Sequence, residues 1–312
     1  MNILISGALG HIGSKIIHNL SKIKKLKKVY LIDNASSNNI NVLFNLKNKK
    51  IKIIFIRKDL LDKKVLFSIK DKINIVIHLA SITNAEESFD IKKKIYSNNY
   101  GIFKNILKFC IFKKSKLVHL SSTSVYGVQS LLVDEKCKNL NPQSPYAHIK
   151  FLEEKLLRKN SKKLKFITLR LGTITGISTG MRFHTAVNKF CLYTILGESV
   201  PVWNNAIDQY RPYLSLGDAI KSIILIINKN IFDQNIYNLL SSNYTVREIL
   251  DMIRKNKFNP KIKKVKTKIL NQNSYKVSRK KFDKLKIQIS RSIKKDIKQT
   301  LRLLAHLHQA KL

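Results

Sequence analysis

The chain has 312 residues, with 60 Lys and Arg against 19 Asp and Glu for a formal net charge of +41, and three cysteines. A chain of this length can bury a substantial core, and the widely spaced Cys110, Cys137 and Cys191 argue against both a disulfide framework and a zinc site, as in a reducing cytoplasm. No charged and apolar leader precedes the first apolar run, and the most apolar stretch, around Ile223 to Ile227, is far short of a membrane span, so neither secretion nor membrane insertion is expected. Strands are predicted at 2–6, 28–32, 51–56, 73–79, 116–121 and 166–171, with helices in the gaps, notably at 12–23, 92–113 and 145–159. Such alternation predicts an α/β fold built on a doubly wound parallel sheet. The stretch from Gly127 to Ser144 reads as a loop over the site, and beyond residue 171 the alternation weakens, which marks a smaller second lobe. Residues 211–228 are expected to return to the first domain, and Thr245 with Glu248 predicts a capping-box helix start.

The first strand runs directly into a glycine turn. Ile3 to Ile5 lead into Gly7, Gly10 and Gly13, and a helix follows. Glycines at these spacings let the backbone turn tightly and approach a pyrophosphate, whose charge is met by the amides and dipole of the helix N-terminus. The second strand ends at Asp33, 20 residues after Gly13, where a carboxylate can accept both hydroxyls of an adenosine ribose and would repel a 2′-phosphate. Tyr146 and Lys150 are four residues apart on the helix predicted at 145–159, with Ser122 at the end of a strand 24 positions before Tyr146. Positions i and i+4 share a helix face, so the Lys150 ammonium is expected near the Tyr146 phenol, lowering its pKa from about 10 towards neutrality. A tyrosine tuned that way can move a proton at physiological pH.

Together these residues resemble the extended short-chain dehydrogenase/reductase family, within it the epimerase and dehydratase branch acting on nucleotide sugars, over nearly the whole chain. The resemblance implies an NAD-binding Rossmann domain at 1–171 and a mainly substrate-binding lobe at 172–312. Ser6-Gly-Ala-Leu-Gly-His-Ile-Gly13 is similar to the family's cofactor motif, which implies NAD contacts from Gly7, Gly10, His11, Ile12 and Gly13. Asp33 looks like the ribose-binding acid, which implies NAD rather than NADP. Asp59, followed by Leu60, matches the acid beside the adenine, and Leu79 and Ala80 after His78 match a loop lining the cofactor. Asn98, three residues before Gly101, matches an asparagine of the next helix, and Ser122, Tyr146 and Lys150 match the catalytic trio. Arg211 is similar to an arginine aimed at the nucleotide diphosphate, a task that suits a planar bidentate guanidinium. Thr173 stands where the family has an asparagine meeting the sugar nucleotide, and Arg182, His184 and Asn188 fall in the segment expected to cover the substrate. The late second phosphate arginine has no clear match beyond Arg279.

Thr123 and Ser124 stand where the dehydratase branch carries an Asp-Glu pair, and as turn residues they disfavour water elimination. The reading is therefore an NAD-dependent 4-epimerase of a UDP-sugar, with a nucleotide-sugar reductase, dehydrogenase or dehydratase as the alternative. A different class stays open: a non-catalytic RNA-binding protein on the same fold. Lysines are spread along the chain among abundant Asn and Ile, which reads as compositional bias rather than a nucleic-acid groove, although a positive field attracts anionic nucleotides. The resemblance implies a homodimer paired through the helices at 92–113 and 145–159. His78 and His119 read as hydrogen-bonded core residues, with no metal-ligand spacing to any Cys, His or acid. His148 is given no role, Trp203 reads as lobe packing, and Glu153 and Glu154 read as exposed helix carboxylates.

Overall fold

The computed structural model describes residues 1–307 apart from 45, 47–49, 84–86, 128, 130–131, 205 and 267–273. Three positions of the expected 127–144 loop, 128, 130 and 131, thus lie outside the described residues. Seven strands form one parallel sheet, in the order Ile236–Leu239, Phe166–Leu171, Lys116–Ser122, Ile75–His78, Asn2–Ser6, Lys28–Asp33 and Lys52–Arg57. The strands are continuously apolar because helices cover both faces. Successive side chains alternate between two cores: Ile3, Ile5, Leu31 and Ile77 pack on one face, and Leu4, Ile32 and Val76 on the other with Phe103, Ile106 and Phe109.

Six of the seven strands lie within two residues of their predicted bounds. The helix expected at 12–23 stops sooner, as His11–Ile17, followed by a short 3-10 turn at Leu20–Lys22. Asn19 ends it by donating from Nδ2 to the Lys15 carbonyl at 2.8 Å. The helix expected at 92–113 is a continuous run in which a π-helical turn, Tyr96–Tyr100, joins Lys92–Ile95 to Gly101–Lys113.

Of residues 211–228, the helix Leu216–Asn228 packs Ile220, Ile223 and Ile227 with Ile16 and Leu20 of the sheet domain. The preceding strand, Arg211–Ser215, belongs to a separate three-stranded sheet with Thr173–Thr175 and Ser242–Tyr244. After the helix, Ile236–Leu239 adds the seventh strand of the main sheet from within the 172–312 segment. The lobe has its own core, in which Val187 and Cys191 meet Ile249, Ile253, Ile297 and Leu301. The capping box is present: Glu248 N donates to Thr245 Oγ1 at 3.1 Å, and Thr245 N donates to Glu248 Oε2 at 2.7 Å. Among the described residues no helix is long and apolar enough to cross a membrane.

Candidate active site

The strand Asn2–Ser6 has Lys28–Asp33 on one side and Ile75–His78 on the other, so a crevice opens at its carboxyl end where the chain order reverses. A cavity of about 470 Å³ occupies that position, walled by Gly7, Gly10, His11, Ile12, Gly13 and Leu79 on the sheet side. Gly7 has φ +68°, and a Cβ there would stand 2.5 Å from Ala80 N, while one on Gly13 would stand 2.5 Å from the carbonyls of Gly7 and Ala8. Both positions therefore require glycine. Asp33 is oriented by the backbone: Oδ2 accepts from Leu9 N at 3.0 Å and Oδ1 from Ala35 N at 2.8 Å. His11 Nδ1 is 2.9 Å from Ser178 Oγ, and its buried Nε2 has no hydrogen-bond partner among the described residues. Burial, then the nearby Arg182 and His184, pull its pKa to about 3, so the ring is neutral.

Asp33, Asp59, Leu60, Ala80 and Asn98 do not line this cavity. Asp59 is exposed and accepts from Leu61 N at 2.8 Å, with Leu60 buried behind it. Asn98 is half-buried. Its Nδ2 donates to Asn99 Oδ1 at 3.0 Å, and Asn99 makes the contact with the strand-end loop, bonding both N and O of Ile82 at 2.9 Å. The π-helical turn holds both residues and buries Asn99 instead of Asn98.

Ser122, Tyr146 and Lys150 come together on one wall. Ser122 ends the strand Lys116–Ser122, and its Oγ accepts from Ser124 N at 3.1 Å and Ser124 Oγ at 2.8 Å. With both lone pairs engaged, its own proton is left to donate. Thr123 is buried and donates to the Leu171 carbonyl at 3.2 Å. Tyr146 opens the helix Pro145–Lys159, where Ser144 caps the N-terminus by accepting from Ala147 N at 3.2 Å and Pro145 takes the first turn.

Lys150 follows one turn later, with Nζ 6.0 Å from the Tyr146 ring centroid. Two expectations are corrected here. Burial raises the Tyr146 pKa and Lys150 only partly offsets it, so in the protein alone the phenol is held above its ordinary value. Glu153 and Glu154 are buried, not exposed. Lys150 Nζ donates to Glu153 Oε2 at 2.9 Å, and Arg170 grips Glu154 through Nε at 2.9 Å and Nη2 at 2.6 Å, with Ser121 Oγ donating at 2.6 Å. A helix face turned towards polar strand ends can bury carboxylates once each has a cation.

Thr173, Arg182, His184, Trp203, Gln209, Arg211 and Tyr275 complete the cavity on the lobe side. Arg211 lies over the Tyr275 ring at 5.2 Å and donates to the Tyr210 carbonyl at 2.9 Å and Gln209 Oε1 at 3.0 Å. Asn188 does not face the cavity. It is fully buried, accepting from Gly176 N at 3.2 Å and donating to the Arg182 carbonyl at 2.9 Å, so it braces the segment that carries Arg182. Arg182 bonds Thr83 Oγ1, and its Nη2 would stand 3.3 Å from a Cβ on Gly10. Arg279 pairs with Asp283 at 2.9 Å and donates to the Leu240 carbonyl at 2.7 Å. Gln209 and Tyr275 carried no sequence signal, because each reaches the cavity only through the lobe's tertiary folding.

Residues 3–239 match the model of the NAD dependent epimerase/dehydratase family. The dTDP-D-glucose 4,6-dehydratase of Dictyostelium discoideum is 29% identical over 258 residues, 76% of this chain and 57% of that protein. A putative UDP-glucose 4-epimerase of Methanocaldococcus jannaschii is 25% identical over 260 residues, 81% of each chain. The structure of UDP-glucuronic acid 4-epimerase from Bacillus cereus, in complex with UDP-glucuronic acid and NAD, is similar with a TM-score of 0.84 and 23% identity, covering 97% of this chain and 99% of that one. Thermus thermophilus UDP-glucose 4-epimerase in complex with NAD gives 0.83 at 21% identity, covering 98% and 99%. These structural likenesses establish the fold.

Proposed function

This chain belongs to the NAD-dependent epimerase/dehydratase family, and from that premise we propose that it epimerises a nucleotide sugar, at C4 of a UDP-sugar, through transient oxidation to a keto sugar. The observation that carries the reading is one cavity with the glycine turn on one side and Ser122, Tyr146 and Lys150 on another wall. The glycine turn suits a dinucleotide, since no Cβ intrudes at Gly7 or Gly13, and the fixed Asp33 carboxylate suits an unphosphorylated ribose. When bound there, NAD supplies the hydride exchange with the sugar carbon and a cationic ring that joins Lys150 in favouring the Tyr146 phenolate.

Tyr146 removes the proton from the reacting hydroxyl and later returns it. Ser122, its lone pairs engaged by Ser124, donates to the carbonyl oxygen as it develops. Lys150 holds positive charge beside the phenol, and Arg211 offers its guanidinium to the diphosphate. Net epimerisation requires the keto sugar to turn over before the hydride returns to the opposite face of the carbonyl carbon and Tyr146 returns the proton to its oxygen. Water elimination is the weaker reading, because Thr123 is bonded to Leu171 and Ser124 to Ser122, with no carboxylate at either position. Two copies are proposed to pair through the helices at 92–113 and 145–159.

Mass spectrometry of the native protein tests the reading, with retained NAD and a UDP-sugar expected. Protein that retains neither and binds neither when supplied would refute it.

A further inference from the structure

Beneath Tyr146 and Lys150 lies a buried carboxylate that the acid–base scheme above leaves unused. Glu153, one helical turn beyond Lys150, is fully buried, and its Oε2 is 2.9 Å from Lys150 Nζ and 2.9 Å from His119 Nε2. An ionised carboxylate only accepts, so His119 carries a proton on Nε2, and its Nδ1 lies 3.2 Å from the Thr168 hydroxyl. Donors from a neighbouring strand and from the helix itself therefore converge on Glu153. Its second oxygen, Oε1, is buried without a hydrogen-bond partner among the described residues, and so is Nε2 of His78 on the next strand.

A buried ion this incompletely satisfied is a costly way to hold a helix, because an apolar residue would pack there with no charge to desolvate. Its field falls on the reacting groups. The Tyr146 phenol is raised by burial, lowered by Lys150, raised again by Glu153 and lowered by Arg182. Burial pulls the Lys150 ammonium down, but Glu153, Tyr146 and Glu154 together hold it above its ordinary value. Burial alone would raise Glu153, yet Lys150, His119 and His78 bring it to about 2, so it is ionised at neutral pH.

Building on the reading of Tyr146 as the acid–base group, we propose that Glu153, braced by His119, is a positioning residue that sets the pH at which the Tyr146–Lys150 pair gives up a proton. The two groups titrate as a unit, and whichever of them loses the proton, the loss is opposed by a carboxylate 2.9 Å from Nζ. Glu153 thereby moves the titration of the pair to higher pH and, by holding Nζ, fixes where the ammonium stands.

The test is a tyrosinate absorbance titration of the whole protein, each form measured against its matching Tyr146→Phe variant, alongside the pH dependence of turnover. Glu153→Gln is expected to move the Tyr146 titration and the acid limb of the rate to lower pH by about one unit or more. Glu153→Asp keeps the charge and is expected to leave both within a few tenths of a unit. Should Glu153→Gln not fold, His119→Phe carries the test, because Glu153 without that donor opposes deprotonation more strongly and the titration moves to higher pH. A titration that stays in place, with the rate reduced equally at every pH, overturns the proposal. Full turnover by Tyr146→Phe would instead overturn the catalytic reading, and the absorbance titration would still report on Glu153.

Discussion

The Arg211 side chain is held before any ligand arrives: Tyr275 lies under it and Gln209 and the Tyr210 carbonyl take two of its donors. In its proposed role on the diphosphate, a guanidinium fixed that way would serve ground and transition states alike. Arg211→Ala is therefore expected to raise KM for a UDP-sugar about 10- to 100-fold with kcat changed by less than about threefold, in steady-state kinetics. Ser122, Tyr146 and Lys150 were legible in the sequence because a strand end and an i, i+4 spacing are local facts. The ion partner of Lys150 was not. A charged residue on a helix is ordinarily exposed, and what buries Glu153 is His119, 34 residues earlier on a strand. The contact of Asn99 with the strand-end loop and the burial of Asn188 were hidden for a similar reason, since a π-helical turn and a buried loop brace leave no mark in spacing.

The glycine turn and the C-terminal helix are the elements whose geometry is most exposed to test. Gly13→Ala would drive a Cβ to 2.5 Å from two backbone carbonyls, so the first helix must shift off the sheet. About 1–3 kcal/mol of lost stability and NAD affinity at least about tenfold weaker are expected, by thermal melting and calorimetry. On the helix Lys294–Leu304, Asp296 accepts from Ser215 Oγ at 3.1 Å, and burial, with Asp218 nearby, raises its pKa to about 6. Because the folded value lies above the ordinary 3.8, the stabilising contribution is complete below about pH 4 and lost as pH rises through 6. Asp296→Asn is expected to raise stability at pH 8 by about 2 kcal/mol and to leave it unchanged at pH 4, in denaturant titrations. The sheet strands were legible because fully covered parallel strands read as unbroken apolar runs. Ile236–Leu239 escaped notice because Tyr237 and Asn238 interrupt its four residues.

At the scale of the molecule, a charge of +41 sits on a fold whose glycine turn shares one cavity with Ser122, Tyr146 and Lys150. A protein that only bound RNA would have no need of Lys150 and Glu153 paired beneath a tyrosine, and the field of the lysines is as useful for drawing in nucleotide sugars as for holding a polyanion. The weakening alternation predicts a smaller lobe after residue 171 and residues 211–228 are expected to return to the first domain, whereas the seventh strand, Ile236–Leu239, depends on a crossover that only the folded chain reveals. The most direct measurement is interconversion of UDP-sugars by the purified protein with NAD, followed by NMR for the wild type and Tyr146→Phe. Inversion at C4 with no net accumulation of NADH is expected, slowed by about a thousandfold in the variant. Equal rates in the two proteins, or stoichiometric NADH production in place of an epimer, would contradict it.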